Sequence, residues 1–132
     1  MPRQQKPLLT SLDAAAANGV GTTINISEYR NVGIQLAIPT GSTLTVKVMA
    51  SNSEDAPTFS DPQSVANHFD YVQVIDLEDG AAIDGDTGIA VVAGVEYRNL
   101  TLNADNFRWV NFEVSGYSAG SVTAKVRPVD NS

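Results

Sequence analysis

Alternation of apolar and polar residues is the strongest structural signal along this chain. It is clearest in residues 43–50 and 120–128, where every second side chain is apolar. A β-strand sends successive side chains to opposite faces of its sheet, so this pattern places one face against a core and the other in water. Repeated alternating segments predict an all-β protein.

The spacing of these segments predicts about eight strands, arranged as a jelly-roll-like antiparallel β-sandwich. The predicted strands are residues 22–26, 31–38, 43–50, 69–77, 89–93, 95–102, 107–114 and 121–129. A turn at 39–41 should end the second strand, and Gly94 should separate the fifth from the sixth. The long connection at 51–67 has the length of a loop that is functional or packs on a partner.

The N-terminal region lacks a clear strand pattern. We expect residues 1–20 to form an N-terminal arm and connecting segment, and residues 21–132 to form the β-sandwich domain. Residues 1–7 are polar and contain two prolines, which favours an extended arm. Residues 11–19 have a helix-like composition, with Ser11 as a cap and Gly19 as a stop, but a loop or strand is equally compatible.

Composition narrows the classes of partner. The 132 residues fit one domain, and 42% of them are hydrophobic. Eight Lys and Arg against 15 Asp and Glu give a net charge of −7, which disfavours nucleic-acid binding. Cysteine is absent, so there is no disulfide or thiolate site, consistent with assembly in a reducing cytoplasm. No signal peptide or membrane-spanning segment is expected, because every apolar run is short.

The residues that suggest catalysis or metal binding also have plain structural explanations. The single histidine, His68, has no accompanying nucleophile motif, and the carboxylates concentrate in loops where water would solvate them. We therefore expect no enzyme activity. The acidic, glycine-rich loop at 76–88 offers oxygen ligands for calcium, but its spacing is that of ordinary Asp-Gly turns. We expect no cofactor.

Aromatic residues provide candidate binding groups. If Val110, Phe112 and Val114 face the core, Trp109 faces outward. An outward Trp stacks on a sugar, packs in a subunit interface, or is covered by the arm or the long loop, and coverage within the assembly is the favoured alternative. Tyr117 presents the same choice.

The order of segments resembles a group of small tailed-bacteriophage virion proteins. The residues that carry the resemblance are 29–36, 45–60, 69–80, 83–88, Arg108, Trp109 and 119–126. The likeness extends over about residues 20 to 129, and it implies a virion structural protein that decorates or cements the capsid. A second likeness, to galactose-binding-like jelly rolls such as discoidin domains, rests on residues 46–53 and 107–114 and implies glycan binding, often with calcium.

These observations give one leading hypothesis. The chain is expected to be a non-enzymatic capsid decoration or cement protein, assembled in the host bacterial cytoplasm, that bridges capsid subunits as a homotrimer. Its expected partners are the major capsid protein or other virion proteins, with no nucleic acid and no membrane. The candidate partner-binding residues are Arg3, Lys6, Leu8, Leu9, Phe59, Trp109 and Tyr117. The alternative is a carbohydrate-binding module of a head or tail fibre that uses Trp109, Tyr117 and the acidic loop.

Overall fold

A computed structural model describes residues 4–5 and 7–130, and all its strand pairs are antiparallel. The strands are β1 (Gln4–Gln5), β2 (Leu9–Ala15), β3 (Gly19–Val20), β4 (Ile24–Asn25), β5 (Asn31–Ser51), β6 (Asp70–Tyr71), β7 (Val74–Asp76), β8 (Ala82–Ile83), β9 (Ile89–Asn103), β10 (Trp109–Ala119) and β11 (Val122–Asp130). This confirms the predicted all-β, sandwich-like antiparallel fold. None of the described residues belongs to a helix that could cross a membrane.

Two long strands, β5 and β9, take part in both halves of the molecule. The first half contains β11, and the second half contains β10. The first part of β5 pairs with β11 on one side and with the second part of β9 on the other. The second part of β5 pairs with β10 and with the first part of β9. The strands predicted at 31–38 and 43–50 are therefore one bent strand, and so are those predicted at 89–93 and 95–102.

The bends keep the ladder paired because both strands shift register at the same place. In β5, Gly41 adopts a φ of +87°, a left-handed conformation that glycine tolerates. The adjacent Ser42 is buried, and its hydroxyl donates to the carbonyl of Pro39 at 2.7 Å. In β9, Ala93 has a φ of +47° and is followed by Gly94. Proline and glycine thus bend these strands instead of ending them.

The core lies between the inward faces of the two halves. In β5 every second residue is buried, first Val32 to Ile38 and then Leu44 to Val48, as the alternation predicts. The largest fully buried side chains are Phe112, Ile26, Leu36, Ile38, Leu44, Met49, Leu100, Leu102, Val32, Val46, Val74 and Val110. Each such side chain stabilises the fold by about 1.5–3 kcal/mol through burial.

The N-terminal region joins this sheet. β2 pairs with β11, β1 continues along the same edge, and β3 pairs with β10. Leu12 is 3% exposed in the main core opposite Ala124. Residues 11–15 therefore follow the strand alternative, and the predicted arm and connecting segment contributes strands to the sheet. The physical reason is that β2 buries Leu12 and pairs backbone groups of β11 that would otherwise be unpaired.

A buried amide side chain completes the pairing of β10 between β3 and β4. Asn111 is 1% exposed, and its Nδ2 donates to the carbonyl of Gly21 at 2.9 Å and to Thr23 Oγ1 at 3.1 Å. Its Oδ1 accepts from the backbone N–H of Phe112 at 2.7 Å and from Ser11 Oγ at 3.3 Å. Asn111 therefore ties β2 and residues 21–23 to β10.

Candidate partner-binding surface

The predicted partner-binding residues are dispersed over several elements. Leu9 begins β2 and is 42% exposed, and the half-buried Leu8 precedes it at the rim of a groove described below. Arg3 and Lys6 lie outside the described residues. The two leucines therefore stand apart from the three aromatic candidates.

Phe59 is buried, contrary to a role as an open partner contact. It is 5% exposed and packs against Phe69, with ring centroids 5.0 Å apart, and against Met49. This small second core anchors the long loop on the outside of the second half of β5. The pattern around Phe59 gave no sign of burial, because a loop has no periodicity and its packing is decided by tertiary contacts.

Trp109 lies on the edge of the same second core. Its indole N–H donates to the carbonyl of Ser53 at 3.0 Å, and the half-buried ring packs against the cluster that contains Phe59. Of the three alternatives for an outward Trp, the structure shows coverage by the long loop. Tyr117 lies eight residues further along β10, or about 26 Å at the rise of an extended strand, so one sugar cannot stack on both rings.

Tyr117 belongs to the hairpin between β10 and β11. Its hydroxyl donates to the carbonyl of Gly120 at 2.8 Å, and its backbone N–H donates to Asn18 Oδ1 at 2.9 Å. The ring packs at the margin of the main core. These contacts give Tyr117 a structural role in closing the hairpin.

Several hydrogen bonds from its own side chains hold the long loop in this conformation. The amide of Asn67 donates to the carbonyls of Thr58 and Pro62 and accepts from the backbone N–H of Thr58. The amide of Gln63 donates to the carbonyl of Phe69. Val65, which lies between Gln63 and Asn67 in the sequence, is fully exposed. The loop is therefore preorganised, which lowers the entropy cost of any contact that it makes.

The acidic loop at 76–88 consists of capped turns. Asp76, Asp79 and Asp84 each accept a hydrogen bond from a backbone N–H two residues later, at 2.8–2.9 Å. Asp76 also pairs with Arg98 at 3.2 Å. These contacts confirm the turn interpretation of the Asp-Gly pattern. No group of three or more metal-ligating side chains occurs within the described part of the chain.

A polar cluster fixes the acidic loop to the outer face of β5 and β10. The hydroxyl of Tyr71 donates to Glu113 Oε1 at 2.7 Å. The ammonium of Lys47 lies 5.4 Å from the centre of the Tyr71 ring and 3.6 Å from Asp86 Oδ1. Burial, the hydrogen bond to Glu113 and the nearby carboxylates together raise the pKa of Tyr71 to about 12, and burial is the largest of these causes.

We expect Tyr71 to remain protonated in the folded protein until well above pH 10. Because its folded pKa is raised, the stability that it contributes is present below pH 10 and is lost as pH rises toward 12. Ultraviolet titration of tyrosinate should show a late step that disappears in Tyr71→Phe. Tyr97→Phe, which removes a phenol that is 70% exposed, is the control. Ionisation of Tyr71 near pH 10 would contradict the assignment.

The outer face of the first half of the sheet has a distinct chemistry. We use the name arm-side face for the outward positions of β11, of β5 up to residue 37 and of β9 from residue 95. These positions are Thr123, Lys125, Arg127, Val129, Asn31, Gly33, Gln35, Ala37, Val95, Tyr97, Asn99, Thr101 and Asn103. They include two cations and no carboxylate, although the chain has 15 acidic residues.

A groove of about 260 Å³ lies across the arm-side face. Leu8 and Leu77 contribute its apolar sides, while Gln35, Asn99 and Arg127 contribute polar groups. The Nε of Arg127 is buried and has no hydrogen-bond partner among the described residues. Arg127 was not among the residues predicted from the sequence. Lys125 and Arg127 stand at alternate positions of a predicted strand in an acidic chain, and this pattern could have indicated a binding face.

Comparison with known proteins gives a fold relationship. No family model matches the chain, and no curated protein sequence matches it. Crystal structures of two proteins have a similar fold over 98% of this chain, each with a TM-score of 0.71. They are YomS, derived from the SPBc2 prophage, and XepA, an exported protein of PBSX. The chain has a fold found in phage-related proteins.

The two similarities differ in extent. YomS is 15% identical in sequence, and the alignment covers 96% of its length. XepA is 11% identical, and the alignment covers 39% of its length, so this chain corresponds to a part of that protein. At these identities the comparison establishes the shared fold.

Proposed function

We propose that this chain is a non-enzymatic structural protein of a phage virion, a decoration protein that stabilises the head by bridging capsid subunits. The observation that carries the proposal is the fold shared over nearly the whole chain with two phage-related proteins. A rigid sandwich suits a structural role because its loops and outer faces are fixed before a partner is met. The proposed location is the virion, after assembly in the bacterial cytoplasm.

The N-terminal segment is the proposed attachment element, with the major capsid protein or another virion protein as its partner. The sequence of this segment contains Arg3 and Lys6, and its described strands β1 and β2 pair with β11 at the edge of the sheet. The arm-side face beside that edge also carries Lys125 and Arg127. An acidic partner surface is therefore complementary to this side of a chain whose net charge is −7.

Removal of residues 1–7 is expected to leave the fold intact and to reduce attachment to particles at least tenfold. The truncation ends before Leu9, where β2 begins, so the pairing of β2 with β11 and the burial of Leu12 are kept. The measurement is the copy number in purified particles, by quantitative mass spectrometry, beside circular dichroism of the free protein. Charge reversal by Arg3→Glu with Lys6→Glu is the companion variant and should give the same loss.

The same particles test the proposed location. Immunogold labelling should place the full-length protein on heads, and normal decoration by the truncated protein would refute attachment through the N-terminal segment. Absence of the protein from particles would overturn the virion proposal itself. The proposed trimer, which would match threefold positions of a capsid lattice, predicts a solution mass of three times the 14.0 kDa of one chain.

A further inference from the structure

The groove on the arm-side face has polar groups suited to one class of ligand. Arg127 supplies a guanidinium, and the amides of Gln35 and Asn99 supply further donors in the same groove. Guanidinium and amide donors together match a carboxylate, which accepts several hydrogen bonds at once. None of the residues that line the groove is acidic. The groove therefore lacks a carboxylate of its own to neutralise Arg127.

The Nε of Arg127 is the second, independent observation. It is shielded from solvent, and no acceptor for it exists among the described residues. A buried donor without a partner destabilises the fold, and the cost is larger when the group is charged. Such a group is informative because almost every buried polar atom in a folded protein is hydrogen-bonded. Because Nε is closed to solvent, a carboxylate in the groove would contact the other N–H groups of the guanidinium, whose charge no side chain of the groove neutralises.

Apolar side chains define the rest of the ligand. Leu77 is 60% exposed and Leu8 is half-buried, and both border the groove. Tyr97 and Val95, 70% and 45% exposed, extend the apolar surface along β9. A group of exposed apolar side chains on one face often marks a contact surface.

We propose that this groove binds an extended protein segment in which a Glu or Asp side chain lies between apolar residues. The carboxylate contacts Arg127, and its apolar neighbours pack on Leu8 and Leu77. The inference deepens the proposed function by stating the chemistry of the virion partner, and it rests on that function for the source of the segment. Electrostatic complementarity favours this ligand, because the arm-side face has two cations and no carboxylate in an acidic chain.

Two other macromolecules fit the surface less well. Each cation adds only a small attraction to an anionic membrane, and two cations do not offset the repulsion of a chain with a net charge of −7. Binding to nucleic acid requires a more extensive basic surface, because its affinity comes from many contacts between cations and phosphates. A protein segment uses the amides and the apolar sides as well as the charge.

The test uses three synthetic probes and nuclear magnetic resonance of the full chain. The probes are acetyl-Leu-Glu-Leu-amide and the matched peptides with Gln or Lys at the centre. The Glu peptide is expected to shift the side-chain amide signals of Gln35 and Asn99 and the Nε–H signal of Arg127 saturably. Arg127→Gln should weaken that binding about tenfold or more, since it removes a charged hydrogen bond.

Matched variants separate the groove from general charge. Arg108→Gln makes the same change in charge at an exposed position outside the groove, and it should bind as the unchanged protein does. Gln35→Leu, at an exposed position that is safe for folding, should weaken the Glu peptide and spare the apolar contacts. Thermal denaturation of each variant verifies the fold.

Several results would overturn the proposal. Absence of shifts, or equal shifts with the Gln peptide, would show that no carboxylate is recognised. Arg127-dependent binding to phosphatidylglycerol-containing vesicles without peptide binding would assign the face to a membrane. Movement of the groove signals on deletion of residues 1–6, with no peptide effect, would assign the groove to the chain itself. Absence of the protein from virions would overturn the proposed function and leave the peptide result intact.

Discussion

Replacement of Asn111 by alanine is expected to lower the free energy of unfolding by about 3 kcal/mol or more. The Asn111 side chain bonds with the carbonyl of Gly21, Thr23 Oγ1, the N–H of Phe112 and the hydroxyl of Ser11. Alanine removes all four bonds and leaves buried backbone groups without partners. Each of these groups would then carry its desolvation cost, and the N-terminal strand would lose its polar tie to β10.

Urea unfolding followed by circular dichroism measures this loss. Asn52→Ala is the matched control, because Asn52 is exposed and its side chain has no hydrogen bond to a described residue. The control should change stability by less than about 0.5 kcal/mol. A loss of under 1 kcal/mol in Asn111→Ala would mean that water replaces the amide, and that the gap between β3 and β4 is open to solvent.

Replacement of Phe59 by alanine is expected to release the long loop and to destabilise the protein by about 3 kcal/mol or more. Phe59 packs with Phe69 and Met49 in the small second core, and Trp109 packs against this cluster. Alanine leaves a cavity that the hydrogen bonds around Asn67 cannot close, because they lie within the loop itself. The loop should therefore open as a unit while the main core stays folded.

Trp109 reports on this opening directly, as it is the single tryptophan of the chain. Its fluorescence should move to longer wavelength in Phe59→Ala, and amides of residues 52–69 should exchange faster with solvent. Val65→Ala is the control, since Val65 lies in the same loop and is fully exposed. Unchanged Trp109 emission in Phe59→Ala would show that other residues shield the indole ring from solvent.

The bent strands show how a correct pattern can still give the wrong element. Alternation located the inward residues of β5, from Val32 to Val48, because burial of one face imposes a period of two. Pro39 and Gly41 suggested a chain reversal at that point. The strand continues because its neighbour β9 shifts register beside it, and a local sequence window does not contain that partner.

In the candidate site, too, features within one strand could be predicted from the sequence, whereas contacts between distant segments could not. The two sides of β10 were separable from sequence, which placed Trp109 outside the main core and Phe112 within it. The burial of Phe59 and the groove beside Arg127 arise from segments far apart in sequence. The groove combines residues from the N-terminal segment, β5, β9 and β11, and no periodicity along one segment can indicate such a meeting.

The sequence by itself determined the all-β class, the inward face of each long strand and the acidic turns, because these depend on neighbours within a few residues. The tertiary structure alone decided that residues 9–20 join the sheet, that the long loop has its own small core, and that one outer face gathers cations without carboxylates. Those features depend on which strands pair, and strand pairing is fixed by the burial of the whole chain together.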